Sequence, residues 1–513
     1  MSTGDAIVIG AGHNGLVCAT LLAKAGKTVT LLEANASAGG LAAPRSLPGG
    51  FTIPMAHSTP ALSQTIIDDL SLTSHGLSIG PALGTVGLGE DGQHVHVLGD
   101  QVTGATASDA AAYPAFRQRL LRFAKPLRKI WESMLPRIGS SSLKDALIYA
   151  QGALNLRRLG KEDMEEFLRI ATLPMRDLVD EHFEDPKFQA LLCWDGLIGS
   201  KMAPRSPNHA VLPLLFKMGG VHGGQHCVPK GGAAGLTAAL VSAAQAAGVE
   251  IRLETPVQNI LVAGDDVGER AVGVALADGE ELRAPMVVSS ADPKTTFFSL
   301  VGATHFDVQF TSRIKRYRDQ GYVARYHAAL DALPSIPGLD HLSGRLLIAP
   351  TFDAIEFAYD DAKYGDPAQH PVMEITFPSV HDRSLAPEGK HVLSANVMYA
   401  PCDERTGWSA ETRGRFEKAV AETLERYMPG VAKLTTASEL LTPKDIAEAY
   451  HVSGGHWHHG EMALDQMLMM RPTYPAAQYK TQMPGLYLCG AGAHPGGGLT
   501  GLPGRNAARE ILK

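Results

Sequence analysis

Hydrophobic and polar positions divide the chain into stretches of different period. Ala6-Ile7-Val8-Ile9 is apolar without alternation, the pattern of a strand buried on both faces. Residues 16–25 continue with helical character and stop at Gly26, a residue suited to ending a helix. Residues 28–32 form a second apolar, β-branched run, so the opening predicts a βαβ unit. From 113 to about 221 the character is helical. Leu120, Phe123, Leu127, Ile130, Trp131 and Met134 recur at helical spacing, and Pro126 predicts a kink. A helix over 236–247 is followed by short strand patterns over 249–253, 256–262 and 271–277. Asp278-Gly279 then predicts a hairpin turn and 282–290 a returning strand. Residues 94–98 alternate like an edge strand. Runs at 322–328, 345–348, 372–377 and 391–398, with one clear helix at 412–427, predict an α+β region with an antiparallel sheet. A strand over 485–490, a loop over 491–499 almost without side chains, and a helix from near Pro503 end the chain.

The turn after the first strand is Gly10-Ala11-Gly12-His13-Asn14-Gly15, and Glu33 follows the third glycine by 18 residues. Gly10 permits the tight turn, Gly12 lets backbone approach a pyrophosphate, and Gly15 lets the helix pack on the sheet. The helix N-terminus offers free N–H groups to phosphates. Glu33 is placed to accept hydrogen bonds from an adenosine ribose. This predicts a dinucleotide site, the alternative being a plain α/β core with a glycine-rich turn. The doublet Gly39-Gly40 before Leu41 lets the chain pass close to something bulky, such as the rest of a dinucleotide. His57-Ser58 falls in a region expected near the same group. Gly231-Gly232-x-x-Gly235 follows no clean strand, so no second nucleotide site is expected. The 491–499 loop lies between a strand and a helix N-terminus, where backbone N–H groups can surround an anionic ring edge.

Bulk properties narrow the class. The chain has 513 residues, 45% hydrophobic and 19% charged, as in an ordinary globular protein of two or three domains. A net charge of −7 argues against a nucleic-acid partner. The first strand begins close to Met1, which makes the cytoplasm the expected location. Residues 110–161 hold eleven basic residues against Glu132 and Asp145. Two readings stay open for this segment: a solvated face with partners elsewhere in the fold, or a basic amphipathic surface touching anionic lipid. The five cysteines show neither C-x-x-C nor zinc spacing, so no redox disulfide is expected. His94 with His96 and the cluster His456, His458, His459 lack the further ligands a metal needs, and no metal site is expected.

Taken together, the glycine motif with its acid and doublet, residues 228–236, 249–293 and 487–506 resemble the phytoene-desaturase-like FAD oxidoreductases. That family includes carotenoid desaturases, carotenoid isomerases and retinol saturases. The run Gly490-Ala491-Gly492-Ala493-His494-Pro495-Gly496-Gly497-Gly498 with Gly504-Arg505-Asn506 resembles a subgroup labelled by a pyridine nucleotide–disulphide oxidoreductase domain. The resemblance implies an α/β fold: a Rossmann-type FAD-binding domain with an inserted α+β substrate domain and a helical cap. The FAD-binding parts would be 1–90, 225–296 and 446–513, with the helical cap at 91–224 and the substrate domain at 297–445. It implies that Gly10, Gly12, Gly15, Glu33, Gly39, Gly40 and Leu41 hold the ADP half and that Val257 contacts the adenine through its backbone. Gly490, Ala491, Gly492, Gly497, Gly498 and Leu499 would run along the flavin. Ala491 departs from the acid many flavoproteins carry at that position. His459 matches the subgroup and is the candidate catalytic residue, a structural histidine being the alternative. The implied chemistry is hydride transfer from an apolar or lipid-like substrate to FAD, with electrons passed to oxygen or a quinone. The rival readings are a carotenoid-type desaturase or redox-neutral isomerase, an amine oxidase-like enzyme, and a flavin-free lipid-binding module.

Overall fold

The Ala6–Ile9 run is apolar on both faces because it lies at the centre of a sheet. It pairs in parallel with Val29–Leu32 on one side and Met286–Ser289 on the other. Glu250–Arg252 and Leu486–Leu488 extend this to five parallel strands, drawn from the start, middle and end of the chain. The computed structural model describes all residues except 1–3, 57, 60, 137, 138, 140, 141, 208–210, 266 and 267; His57 therefore lies outside the described residues. The first helix is His13–Lys24, capped by Gly12 and so three residues longer at its start than its apolar pattern suggests. The final helix, Leu502–Ile511, packs against it closely: a Cβ on Gly504 would lie 2.1 Å from the Asn14 carbonyl oxygen.

The single strand expected over 282–290 is two. Glu281–Arg283 turns back antiparallel onto Gly268–Leu276, and Met286–Ser289 enters the parallel sheet. Pro285 sits at the break, where it has no amide hydrogen to give a ladder. Val257–Asp265 pairs with Gly268–Leu276 to complete a three-stranded meander.

The second large sheet has eight strands. Their order is Thr435–Leu441, Val323–Leu330, His391–Met398, Met373–Thr376, Arg345–Ile348, Thr85–Gly87, Val95–Leu98 and Gln101–Thr103. Two expectations change here. Val95–Leu98 is not the edge strand, because Gln101–Thr103 pairs outside it. Thr85–Gly87, on the FAD-domain side of a boundary at 90, pairs in parallel with Arg345–Ile348 and belongs to this sheet. Alternation gives the sheet two faces. Tyr326, Ala328, Leu346, Ile375 and Val397 pack with Phe416, Val420 and Leu424 of the Ala410–Tyr427 helix. Arg325, Glu374 and Asn396 point to the opposite side.

Helices cover that opposite side. Ala107–Trp131 runs through Pro114 and Pro126 and is followed by Leu143–Arg157, Lys161–Ile170, Met175–Asp180, Pro186–Leu197 and Val211–Met218. Among the described residues no helix is long and apolar enough to cross a membrane. Several basic residues of 110–161 have acid partners within the fold. Arg117 pairs with Asp100 (2.7 Å), Arg119 and Arg122 with Asp163 (2.9 and 2.8 Å), and Arg128 with Glu132 (2.9 Å).

Candidate active site

One cavity of about 440 Å³ opens at the carboxyl ends of the parallel strands and reaches the polar face of the eight-stranded sheet. Ile9, Leu32 and Ser290 mark the strand ends. This is where an open α/β sheet leaves a crevice between connections running in opposite directions.

At the near end, the glycines divide into two kinds. A Cβ on Gly12 would meet nothing within 4 Å, so its backbone faces open space in the cavity. The helix beginning there has no side-chain cap, leaving its first N–H groups free to meet an anion. Gly15 does not line the cavity: a Cβ there would sit 2.0 Å from the Gly10 carbonyl oxygen, so its role is close helix–turn packing. Gly39 and Gly40 have φ of +124° and +54°, and Gly39 donates its N–H to the Ala11 carbonyl (2.8 Å). The doublet's near neighbours include the glycine turn itself: a Cβ on Gly40 would lie 3.5 Å from Gly12 Cα, and one on Gly39 would meet Thr237. The Glu33 carboxylate accepts from the Ala11 N–H (2.7 Å) and the Asn35 N–H (3.0 Å), which leaves lone pairs toward the cavity. The Thr255 N–H donates to the Glu33 carbonyl (2.8 Å), and this brings Val257 to the same end.

Ala491, Gly497, Gly498 and Leu499 line the middle of the cavity. Gly490 and Gly492 do not. A Cβ on Gly490 would lie 2.3 Å from the Ser290 carbonyl oxygen, and one on Gly492 would lie 2.5 Å from Pro293 Cδ. Those two glycines let the 489–492 and 289–293 segments touch. Gly497 likewise admits His458, whose ring a Cβ would strike at 2.1 Å.

The histidine loop is held by a residue with no motif of its own. Arg471 is fully buried and donates to the carbonyls of Ala491 (3.0 and 2.9 Å), Glu461 (3.0 Å), Gly460 and Gln466 (3.2 Å each) and His458. It ties loop 456–461 to the C-terminal glycine loop. His459, at φ +54°, lines the cavity with its Nδ1 buried and unpartnered. His13, in the first turn of the first helix, also lines it with an unpartnered Nε2. Burial lowers the pKa of both, with the neighbouring His459 adding to the effect on His13, which falls to about 4. Burial also holds His458 well below the ordinary range. The rings facing this part of the cavity are therefore neutral at physiological pH. His94 is engaged within the fold: Nδ1 accepts from the Gly89 N–H (3.1 Å) and Nε2 donates to the Pro337 carbonyl (2.8 Å).

At the far end, register pairs place Arg325 beside Asn396 and Asn396 beside Glu374 on three adjacent strands. The Asn396 amide accepts from Arg325 and donates to Glu374. Glu374 also accepts from Trp194 Nε1 (2.8 Å) and Arg345 (3.1 Å). Arg345 makes a bidentate pair with Asp195 (2.6 and 2.8 Å). Lys217 Nζ donates to the Asp195 carbonyl (2.7 Å), and His226 bridges Asp195 (3.1 Å) and Ser58 (2.6 Å). Pro213, Phe216 and Ile198 supply apolar wall on this side.

A flavin dinucleotide fits this chain's own features: an acid at one end, an uncapped helix and an open glycine in the middle, and a backbone-walled loop beyond. Residues 15–296 match the model of the flavin-containing amine oxidoreductases. The chain belongs to that family. It is an FAD-dependent oxidoreductase, and the flavin-free reading is set aside. Over 99% of its length it is 31% identical to pyridine nucleotide-disulfide oxidoreductase domain-containing protein 2 of Mus musculus, covering 93% of that protein. It is 25% identical to a limonene dehydrogenase polypeptide of Castellaniella defragrans, covering 99% of this chain and 94% of the relative. It is 30% identical to the neurosporene-forming phytoene desaturase of Cereibacter sphaeroides over 53% of this chain and 51% of that enzyme. The five cysteines are free thiols in the structure, and the buried thiol of Cys18 lies in hydrogen-bond range of Cys489.

Proposed function

We propose that this flavin enzyme removes hydrogen from a carbon of a small molecule with a substantial apolar part, as a dehydrogenase or desaturase. The carrying observation is the continuous cavity that joins the glycine turn to the polar sheet face beneath the helical cap. When bound, FAD supplies the two-electron acceptor for such a step. Gly10, Gly12, Glu33, Gly39, Gly40, Leu41 and Val257 would hold its ADP half, and Ala491, Gly497, Gly498 and Leu499 would flank the ring. Gly15, Gly490 and Gly492 would support it by packing. His459 and His13 are neutral bases beside the ring's place, able to accept or return a proton without a charge in the resting site. The apolar wall excludes water from the reacting carbon. Two relatives bear the names of hydrocarbon substrates, limonene and phytoene, which supports an apolar reacting portion. Oxygen or a quinone would complete the cycle as electron acceptor.

Anaerobic mixing of holoenzyme with polyenes, saturated acyl compounds and amines tests this. Bleaching of the flavin band by a non-nitrogenous substrate is the expected outcome. Bleaching by amines alone, with peroxide released in air, would establish amine oxidation instead.

We also propose that the basic 110–161 segment touches a membrane surface. The Leu143–Arg157 helix exposes Leu143 (84%), Leu147 (68%) and Leu154 (46%) and ends in Arg157 and Arg158. Exposed leucines beside two terminal arginines support contact with anionic lipid.

A further inference from the structure

The far end of the cavity has more donors than acceptors. Both Asp195 oxygens are engaged by Arg345. Both Glu374 oxygens accept from Asn396, Trp194 and Arg345, and the Asn396 oxygen accepts from Arg325. The donors are not used up in the same way. Arg325 is 6% exposed, lines the cavity, and has no carboxylate in ion-pair range among the described residues. Its only described side-chain hydrogen bond is to the neutral Asn396 amide. Its guanidinium lies 4.7 Å from the Trp457 ring centroid, and Trp457 Nε1 is buried with no acceptor among the described residues. Lys217 lines the same cavity with one hydrogen bond among the described residues, to a backbone carbonyl. Burial lowers both cations, Arg325 to about 10, as expected where nothing nearby compensates fully. His226, which contacts Asp195, is lowered by burial and stays neutral. Three cations, Lys217, Arg325 and Arg345, therefore face two carboxylates, Asp195 and Glu374, which leaves one positive charge uncompensated.

We propose that this end of the cavity binds a carboxylate carried by the substrate, with the guanidinium of Arg325 and the indole N–H of Trp457 as its donors and Lys217 completing the charge. The proposal rests on the dehydrogenase reading and narrows it: the substrate has an apolar portion to be oxidised and an anionic end that fixes its position. A guanidinium fork suits a planar carboxylate. The surplus of a single charge matches a monoanion. An ammonium group would meet donors where it needs acceptors, so the same geometry disfavours amine substrates at this position.

The test compares decanoate, decanol and decyl phosphate on FAD-loaded protein by calorimetric titration, with the visible flavin spectrum recorded beforehand. Decanoate is expected to bind at least about tenfold more tightly than decanol, the scale of one charge-assisted contact. R325Q is expected to remove that difference, leave decanol binding unchanged and retain FAD; R325K is expected to restore part of it. Equal affinity for decanoate and decanol would overturn the proposal, as would a carboxylate preference that survives R325Q. Preference for decyl phosphate would contradict the single-charge count. The comparison of ligands on unaltered protein needs no variant, so misfolding of R325Q would not leave the matter open. A protein without flavin that still selects decanoate would contradict the redox reading and support the carboxylate site; a flavin-loaded protein that does not select it would do the reverse.

Discussion

Gly12 and Gly15 are three residues apart in one motif and carry opposite demands. Gly12, at φ −64°, could accept a side chain without backbone strain, but that side chain would fill the cavity. Gly12→Val is expected to give a folded protein that purifies without flavin, with an unchanged far-ultraviolet circular dichroism spectrum and no absorbance near the flavin maximum. Gly15→Ala is expected to cost about 1–3 kcal/mol by overpacking against the Gly10 carbonyl, measured by chemical denaturation. Arg471→Met would strip six loop carbonyl contacts of a charged donor. A loss of more than about 3 kcal/mol is expected, together with weaker flavin retention. At this scale the glycine turn and Glu33 were legible because their geometry is local to one strand, turn and helix. Arg471 was not. Nothing in the neighbouring sequence tells a fully buried arginine from a solvated one, and its partners come from three separate loops. His13 was hidden in a variable position of the motif.

Among the elements, the histidine loop and the C-terminal glycine loop respond to pH as a unit. His456 and His494 are buried and lowered to about 3 and about 4. Their unfolded-state pKa is about 6.5, so between about 6.5 and 4 the unfolded chain binds more protons than the folded one. Stability therefore rises with pH across that window and is lost as pH falls through it. Each such histidine contributes a slope of about 1.4 kcal/mol per pH unit. Melting temperature is expected to fall steeply from pH 6.5 to 4.5, with flavin release following the same curve. A flat profile would place these rings in contact with water. The Leu143–Arg157 helix gives a separate expectation: sedimentation with liposomes containing acidic lipid but not with neutral ones. Equal partitioning would exclude a lipid-facing role. Element types were mostly legible from periodicity, with two exceptions. Residues 282–290 are expected as one returning strand, yet they serve two sheets on either side of Pro285. The alternation at 95–98 cannot reveal that Gln101–Thr103 folds back outside it.

For the whole molecule, function depends on two sheets meeting across one cavity. The nucleotide half was legible because each strand end carries its glycine or acid nearby in sequence. The substrate half was not, since Lys217, Arg325, Glu374 and Asn396 belong to no motif and reach one place only through strand register and the covering helix. The central proposal is that FAD lies between the glycine turn and the 491–499 loop. The measurement that tests it most directly is the flavin content of the purified protein, by visible spectrum and by chromatography of the released chromophore, set beside that of Gly12→Val. The structure predicts about one FAD per chain in the parent and none in the variant. A colourless parent that fails to take up added FAD, or a variant that retains it fully, would contradict the account.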